Sequence, residues 1–275
     1  MVATAALNLN IAIGHTQGGE VSGNIDDIQR HAITKLSHIH FPETEEAARR
    51  IESLGEERWR IHTVGSVYID RIAKKMYTDS AEAKKKYGIK PHEIYVISIF
   101  HPDTFETAEK NYIVSKNLFD VLGALPMKSV ILYPCSDPGH DAVIRAILDS
   151  KKKFGDKFLV FKNIENLDFL GLMSGAKFMA GNSSAALVEA PYFRLPAINI
   201  GKRQIGRDRE KNVIDAGFSR KEIKSAADFV LYDKSFRRAL ASCGHRLGDG
   251  NASEKILKVL RNVKIDESLL RKKLV

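Results

Sequence analysis

Short apolar segments recur along the chain, and each is separated from the next by a stretch of helix-forming composition. The predicted strands are residues 10–13, 38–41, 61–64, 95–100, 129–133, 158–160, 178–179 and 197–200, with helices predicted at residues 43–54 and 70–87. Near-continuous apolar strands that alternate with helices indicate a parallel sheet covered by helices on both faces. Ligands of such sheets bind at the carboxyl ends of the strands. The sequence therefore predicts an α/β fold whose functional residues follow the strands.

The composition is ordinary for a globular protein. Hydrophobic residues make up 44% and charged residues 28% of the 275 residues, as in a typical soluble domain. No apolar run approaches the roughly 20 residues of a membrane helix, and the first residues do not resemble a signal peptide. Cys135 and Cys243 are the only cysteines, too few for a disulfide scaffold or a metal cluster. We expect a reduced, cytoplasmic protein with no membrane partner.

The net charge of +9 raises the question of a nucleic-acid partner. The densest basic runs are residues 84–86, 151–153 and 271–273. They are scattered over predicted helix ends and the tail, without interleaved aromatic residues or a recognisable nucleic-acid module. Solvated helix faces explain them better, and a general attraction for anionic metabolites is compatible with the charge. We expect no nucleic-acid partner.

Residues 181–207 give the strongest indication of a ligand. Their candidates are Ser183 and Ser184 ahead of a predicted helix at residues 185–190, Glu189 near its end, and Arg203 and Arg207 beyond the next strand. A helix N-terminus and nearby hydroxyls can bind phosphate, a carboxylate can bind sugar hydroxyls, and guanidinium groups can bind a diphosphate. The pattern favours a nucleotide-diphosphate pocket. The alternative is an ordinary serine N-cap with surface arginines.

An acidic turn early in the chain is the second candidate. Gly18 and Gly19 allow a sharp bend after a strand and leave Glu20 able to face a cleft. Asp26 and Asp27 lie at the entry of the next predicted helix. Carboxylates this close together can raise one another's pKa, as proton transfer at a sugar carbon requires. The alternative is that the aspartates cap the helix and Glu20 is solvated.

The histidines divide into one functional candidate and a set without metal-binding spacing. His101 follows the strongest predicted strand and is fixed by Pro102, so it can hydrogen-bond or protonate a phosphate leaving group. The other early histidines are His15, His31, His38 and His40. Their spacing matches no ligand pair on one helix, and no cysteine joins them. We expect no metal.

Five motifs, in order along the chain, resemble those of one enzyme family. They are GGEVSGNIDDIQRHAITKLSHIHF, HPDT after a strand, GNSSAALVEAP, NIGKRQIGR and GDGNASEKI. Together they resemble the hydrolysing UDP-N-acetylglucosamine 2-epimerases of sialic-acid-type pathways, over nearly the whole chain. The non-hydrolysing relatives are less similar, because their P-E-E-A-N-R stretch is replaced here by residues 24–30.

The resemblance implies a glycosyltransferase-B-like fold of two Rossmann-like halves, with the nucleotide sugar held between them. It also implies that UDP leaves C1 as the C2 proton is removed, and that water then adds to release N-acetylmannosamine. The implied roles are Glu20 as acid/base with Asp26 or Asp27 assisting, His101 at the diphosphate, Ser183 and Ser184 at the phosphates, Glu189 at the ribose, Phe169 at the uracil and Arg203 at the diphosphate. No metal or redox cofactor is implied, and the family's usual assembly implies a homodimer or homotetramer.

The chain departs from the family at its beginning. Family members carry roughly another hundred residues ahead of this point, enough for much of a small domain. The expected organisation is a remnant N-terminal domain at residues 1–66, a C-terminal nucleotide-binding domain at 67–262, and a tail at 263–275 that packs back on the N-terminal part. Residues 248–251 are predicted to cap a helix at 252–262.

We therefore expect the 275-residue chain alone to be a poor catalyst, although its second half can still bind UDP. Two other function classes stay open at this point. A nucleotide-sugar glycosyltransferase would share the fold but would not need the acidic turn. An inactive nucleotide-sugar-binding module is the other alternative.

Overall fold

The structure of the chain, a computed structural model, describes residues 2–21, 25–244 and 246–273, with only the backbone described at Ile25 and Asp26. The chain divides into two compact units. Unit 1 contains the residues up to Lys75, Ile205–Asp208 and the residues from 246 onward, and unit 2 contains Met76–Gln204 and Arg209–Gly244. The grouping differs from the predicted boundaries at residues 66 and 262, because the helix at residues 252–262 belongs to unit 1.

Unit 2 is built on a six-stranded parallel sheet. Its strands are β3 (Tyr95–Ile99), β4 (Lys128–Leu132), β5 (Phe158–Phe161), β6 (Met179–Gly181), β7 (Ala197–Ile200) and β8 (Val213–Ala216). They lie in the order β5-β4-β3-β6-β7-β8, with every pair parallel. This is the strand order of a Rossmann sheet, and the order reverses direction between β3 and β6.

Helices complete unit 2. They are α5 (Ser80–Lys86), α6 (Ala108–Ala124), α7 (His140–Phe154), α8 (Asn166–Gly175), α9 (Ala185–Val188), α10 (Arg220–Tyr232) and α11 (Lys234–Ala239). β3 and β7 are buried at every residue, and their side chains join one core with α6, α7 and α10. The predicted parallel α/β sheet is confirmed. β8, which the sequence analysis did not predict, is a half-exposed edge strand with an aspartate in it.

Unit 1 has a smaller sheet of two parallel strands, β1 (Gly14–Thr16) and β2 (Ile39–Phe41). Its helices are α1 (Val2–Asn8), α2 (Ile25–Leu36), α3 (Glu45–Ser53), α4 (Val67–Ala73), α12 (Ala252–Asn262) and α13 (Glu267–Leu270). Ile39, Phe41, Val64 and Leu269 form its main buried cluster.

Three predicted elements within the first 87 residues are placed differently. The predicted strand at residues 10–13 starts later, at Gly14, and that at residues 61–64 is reduced to one bridge between His40 and Ile61. The predicted helix at residues 70–87 is two helices. Lys75 has a positive φ of 51°, which ends α4, and the Asp79 side chain accepts a hydrogen bond from the Ala81 N–H to start α5.

The C-terminal residues of unit 1 are held by a buried arginine. Arg60 is 1% exposed, and its Nη1 donates to the carbonyl oxygens of His38 (3.1 Å) and Leu269 (2.7 Å). Its Nη2 donates to the carbonyl oxygen of Ser268 (2.8 Å), and its Nε donates to Glu57 (2.7 Å). One guanidinium therefore joins β2 to the segment that begins at α13.

The helix α12 occurs where it was predicted, at Ala252–Asn262, but its N-cap is different. Asn251 makes no side-chain cap hydrogen bond. Instead, the Asp70 carboxylate of α4 accepts from the N–H groups of Ala252 (2.9 Å) and Ser253 (2.7 Å). Two of the free N–H groups at the start of α12 are thus satisfied by a neighbouring helix. In the described part of the chain no helix has the length and apolar character to span a membrane.

Candidate functional site

The turn after β6 and the end of β3 are joined by one asparagine in unit 2. Asn182 is 2% exposed. Its side-chain oxygen accepts from the His101 N–H (2.7 Å) and its amide nitrogen donates to the His101 carbonyl (2.8 Å). The Asn182 N–H also donates to the Ile99 carbonyl (3.1 Å). These bonds fix the loop exactly at the point where the strand order reverses, which is where dinucleotide folds bind phosphates.

His101 presents a defined tautomer at this point. Its Nδ1 accepts a hydrogen bond from the Cys135 N–H (3.0 Å), so the neutral ring carries its hydrogen on Nε2. Burial, and then the charge of Arg203, lowers the pKa of His101 to about 4. A neutral imidazole at physiological pH can donate a hydrogen bond to a phosphate oxygen, whereas it has no second proton to transfer. Of the two roles predicted for His101, the geometry favours hydrogen bonding.

Two side chains from the loop after β7 reach the Asn182 carbonyl. Gln204 Nε2 donates to it at 2.8 Å and Arg203 Nη1 at 3.4 Å. Arg203 Nη2 lies 3.8 Å from the Asp137 carboxylate, and the Arg203 side chain is 18% exposed. The structure therefore brings Arg203 and His101 together through Asn182, and places a cation beside the polar turn.

The predicted phosphate-binding serines lie in the same turn. Ser183 is buried and its Oγ accepts from the Ala185 N–H at 3.4 Å, while Ser184 is half-buried. The helix that follows is shorter than the predicted residues 185–190: α9 ends at Val188 and continues as a 3₁₀ turn with Pro191 in its first turn. So short a helix has a small macrodipole, and the donors at this site are those of the turn itself.

Glu189 and Phe169 also belong to unit 2. Glu189 directly follows α9 and is half-buried. Phe169 lies in the first turn of α8, also half-buried, with its N–H bonded to the Glu165 carbonyl. Both therefore lie on segments that follow the carboxyl ends of strands, β6 and β5 respectively. Their assignments to ribose and uracil stay predictions.

In unit 1 the double-glycine turn positions Glu20. Gly19 has φ of 76°, and a Cβ there would lie 2.1 Å from the Ala47 carbonyl oxygen, so the turn packs its backbone directly against α3. Glu20 Oε2 accepts from Arg207 Nη2 at 3.1 Å, with the two side chains 17% and 16% exposed. The carboxylate is therefore oriented by an arginine while keeping some access to solvent.

Asp27 is connected to the same turn through Arg30. Arg30 Nη1 donates to Asp27 Oδ1 (3.0 Å) and to the Glu20 carbonyl (3.3 Å). The structure thus brings Asp27 and Glu20 into one cluster. The side chain of Asp26, the other predicted aspartate, lies outside the described residues.

Glu43 was not predicted, although it lies at the same place. It is 4% exposed, and its Oε1 accepts from Gln17 Nε2 at 3.0 Å. Burial, and then its contact with Glu20, raises the pKa of Glu43 to about 8. Glu43 is the first residue of the helix predicted at residues 43–54, but α3 begins at Glu45 after a Thr44 cap. Nothing in the local pattern PETEE indicates that its first glutamate is buried.

The early histidines take structural positions in unit 1. His40 is fully buried and bonds Glu56 at 3.1 Å, and burial lowers its pKa to about 4. Burial and the charge of Arg30 likewise lower the pKa of His15 to about 4. Among the described residues there is no group of three or more His, Cys, Asp or Glu side chains arranged to hold a metal ion.

Comparison with known proteins gives a consistent match. The sequence model of the family described as UDP-N-acetylglucosamine 2-epimerase matches residues 1–261. The chain is 39% identical over 212 residues to the UDP-N-acetylglucosamine 2-epimerase of Neisseria meningitidis serogroup B, covering 77% of this chain and 55% of that protein. It is 30% identical over 270 residues to the UDP-N,N'-diacetylbacillosamine 2-epimerase (hydrolyzing) of Legionella pneumophila, covering 98% of this chain and 70% of that protein. The chain thus spans little more than half the length of the first relative.

A solved structure has the same fold. The crystal structure of UDP-GlcNAc 2-epimerase from Neisseria meningitidis bound to UDP-GlcNAc matches with a TM-score of 0.79, 18% identity, and coverage of 95% of this chain and 72% of that chain. At this identity the likeness concerns the fold. It confirms the predicted glycosyltransferase-B-like α/β class with parallel sheets.

Proposed function

Because the chain belongs to the UDP-N-acetylglucosamine 2-epimerase family, we propose that it is a hydrolysing 2-epimerase that converts UDP-N-acetylglucosamine to N-acetylmannosamine and UDP. The relative that matches 98% of the chain bears the name of a hydrolyzing epimerase, which supports the subtype. The observation that carries the proposal is the Glu20 carboxylate, held by Arg207 on a glycine turn beside further carboxyl groups. The product suits sialic-acid-type sugar biosynthesis.

The reaction needs one group that exchanges a proton with the sugar. In the elimination, the C2–H bond breaks and its proton passes to Glu20, while the C1–O bond breaks and its electron pair leaves with UDP. In the hydration, a proton returns to C2 on the opposite face and water supplies a hydroxyl to C1. Asp27 assists through Arg30, which it shares with the Glu20 backbone. Asp26 is proposed as the alternative assistant.

The leaving diphosphate is assigned to the cluster in unit 2. His101 donates its Nε2–H, the Ser183–Ser184 turn supplies N–H and hydroxyl donors, and Arg203 supplies positive charge. Glu189 is assigned to the ribose hydroxyls and Phe169 to the uracil ring. Proton transfers suffice for both steps, so the proposal includes no metal or redox cofactor.

Assembly, location and domain organisation complete the proposal. We place the protein in the cytoplasm as a homodimer or homotetramer that binds a UDP-sugar and neither nucleic acid nor membrane. The proposed domains are an N-terminal part up to residue 66, a nucleotide-binding domain at 67–262 and a returning tail at 263–275, a division that differs from that of the two compact units.

The test is an assay of products with a matched pair of proteins. The purified protein is incubated with UDP-N-acetylglucosamine, and UDP and N-acetylmannosamine are quantified separately. We expect the two products in equal amounts. Glu20→Gln, which keeps size and polarity but cannot accept the proton as a carboxylate does, should abolish turnover and keep UDP affinity within about tenfold, or about 1.4 kcal/mol.

Each other outcome identifies a different protein. UDP release without N-acetylmannosamine, stimulated by an acceptor sugar, would indicate a glycosyltransferase. UDP binding without release of either product would indicate a nucleotide-binding module. Full activity in Glu20→Gln would remove Glu20 from the mechanism.

A further inference from the structure

Glu43 directly follows β2 and Pro42 and points into the interior of unit 1. The neighbouring Gln17 has a positive φ of 59°. Its N–H donates to the Phe41 carbonyl (3.2 Å) and its Nε2 donates to Glu43 Oε1 (3.0 Å). The turn that precedes Glu20 therefore also fixes the Glu43 side chain, although the proposed reaction has not used Glu43.

The second oxygen of Glu43 is where the two carboxyl groups meet. Glu43 Oε2 is buried and accepts no hydrogen bond of normal geometry from the described residues. The Glu43 carboxyl instead contacts the Glu20 carboxyl and approaches the Ser66 hydroxyl. When two carboxyl groups are in contact and one of them is almost fully buried, ionising both is unfavourable, because the like charges repel each other. One proton must be shared between them near neutral pH.

The surrounding charges decide which carboxyl keeps that proton. Arg207 pairs with Glu20 directly, at 3.1 Å, and Arg50 from α3 donates from its Nη1 to the Gly19 carbonyl. Asp208 lies 3.9 Å from Arg50 and 2.8 Å from Arg246. The neutral His15 lies beside Gly18. Glu43 receives the neutral amide of Gln17, approaches the Ser66 hydroxyl and is the more buried group, so the proton belongs on Glu43.

We propose that Glu43 is a positioning residue for the epimerase reaction, holding a proton that it donates to Glu20 in a hydrogen bond. The inference rests on the proposed function. With the Glu43 O–H on one side and Arg207 on the other, the Glu20 carboxylate is fixed in orientation and carries the single negative charge of the pair. During elimination, Glu20 takes the C2 proton and the pair becomes neutral.

This arrangement sets an alkaline limit on activity. Because burial and Glu20 raise the pKa of Glu43 to about 8, the proton is lost above that pH, and the hydrogen bond that orients Glu20 is lost with it. We expect kcat/KM of the wild type to fall above pH about 8. Glu43→Gln keeps an N–H donor but cannot ionise. Its activity should therefore stay within about tenfold of the wild type at neutral pH and should not fall above pH about 8.

A second variant separates orientation from simple structural support. Glu43→Ala removes the donor, and we expect it to lower kcat more than tenfold with KM little changed, because Glu43 does not touch the substrate. Glu46→Gln is the matched control, since it removes an exposed carboxylate three residues further along the chain, in the first turn of α3, where Glu46 pairs with Arg49 at 3.5 Å. It should leave the rate and its pH dependence unchanged.

The proton itself can be observed without turnover. Infrared difference spectra of the unliganded protein should show a protonated carboxylic acid that persists well above the ordinary value of 4.5 and disappears near pH 8, and this band should be absent in Glu43→Gln. Across the same window the wild type should lose stability, because the unfolded chain releases this proton near 4.5 while the folded chain retains it. The melting temperature of Glu43→Gln should therefore rise relative to the wild type from the lower to the upper pH.

The outcomes separate the two proposals. A titrating band in a protein that forms no N-acetylmannosamine would support the shared proton and reject the epimerase function. Epimerase activity with no such band, or with the same alkaline limb in Glu43→Gln, would overturn the role of Glu43.

Discussion

Gly181 is the residue that lets β6 run directly into the polar turn of unit 2. Its φ of 144° is open to glycine and strained for other residues. A Cβ at this position would lie 1.9 Å from the Ile99 carbonyl oxygen, the same carbonyl that accepts from the Asn182 N–H. The close approach of the ends of β3 and β6 therefore requires a residue without a side chain at position 181. The position of Asn182 depends on this approach.

Gly181→Ala should be strongly destabilising, because strain and a backbone clash act together, at about 3 kcal/mol or more. UDP affinity should fall along with the melting temperature. Gly88→Ala is the control: Gly88 also has a positive φ, 71°, but a Cβ there would meet nothing within 4 Å, so its cost should be about 1 kcal/mol. Urea unfolding and UDP titration of both variants check this, and equal losses would contradict the clash.

The sequence predicts individual site residues only where a local pattern exists. Glu20 was identified from the two glycines before it and His101 from the end of a strong strand. Asn182 and Glu43 could not be identified, because their importance comes from partners far along the chain, His101 for Asn182 and Gln17 with Glu20 for Glu43. A buried glutamate in particular resembles any surface glutamate until its surroundings are known.

At the scale of elements, α12 begins at a carboxylate that comes from another helix. Asp70 in α4 accepts from two N–H groups of α12, and Lys74 in the next turn of α4 pairs with Glu254 at 3.0 Å. The buried Asp70 contributes most of this junction, because the Lys74 pair is exposed and worth little. The position of α12 is thus fixed at its first turn.

Asp70→Ala should lower the free energy of unfolding by about 2 kcal/mol, since a cap is lost and two N–H groups, of which that of Ala252 is buried, lose their acceptor. Asp249→Ala, in the loop that the sequence suggested as the cap, should change it by less than about 0.5 kcal/mol, because Asp249 is exposed. Thermal and denaturant melts of the two variants give the comparison. Equal losses of unfolding free energy in the two variants would show that the Asp70 cap makes no specific contribution to stability.

The elements that were predicted correctly share a physical property. β3, β4 and β7 are apolar because they lie inside the sheet and are largely buried, and this makes them visible in the sequence. β8 was missed because an edge strand needs no continuous apolar run. The segment at residues 61–64 was predicted as a strand, but only one bridge exists there, and Val64 instead packs against Leu269 and its neighbours.

At the scale of the whole molecule, the net charge and the proposed nucleotide site both affect the binding of anions. The net charge of +9 favours anionic ligands over the entire surface, whereas the proposed nucleotide site belongs to unit 2. A ligand that binds only the folded state stabilises it by mass action. The gain in stability on adding UDP therefore measures binding at this site, whether or not the protein turns over a substrate.

UDP at about one hundred times its Kd should raise the free energy of unfolding by about 2.7 kcal/mol and raise the melting temperature. UMP, which lacks the second phosphate, should give a smaller shift at the same concentration. Glu43→Gln should leave the UDP shift unchanged, because Glu43 lies in unit 1. Equal shifts with UMP and UDP at moderate salt would show that the diphosphate is not recognised.

Unit 1 is built from three separate segments of the chain, and this affects its folding during synthesis. Unit 2 ends at Gly244, but unit 1 needs the residues from 246 onward, including the Ser268 and Leu269 carbonyls that Arg60 binds. On the ribosome, the early part of unit 1 must wait until Ser268 and Leu269 have been translated, while unit 2 can already fold. A stop codon ahead of Ser268 should therefore leave the early residues of unit 1 exposed to chaperones and proteases in the nascent protein.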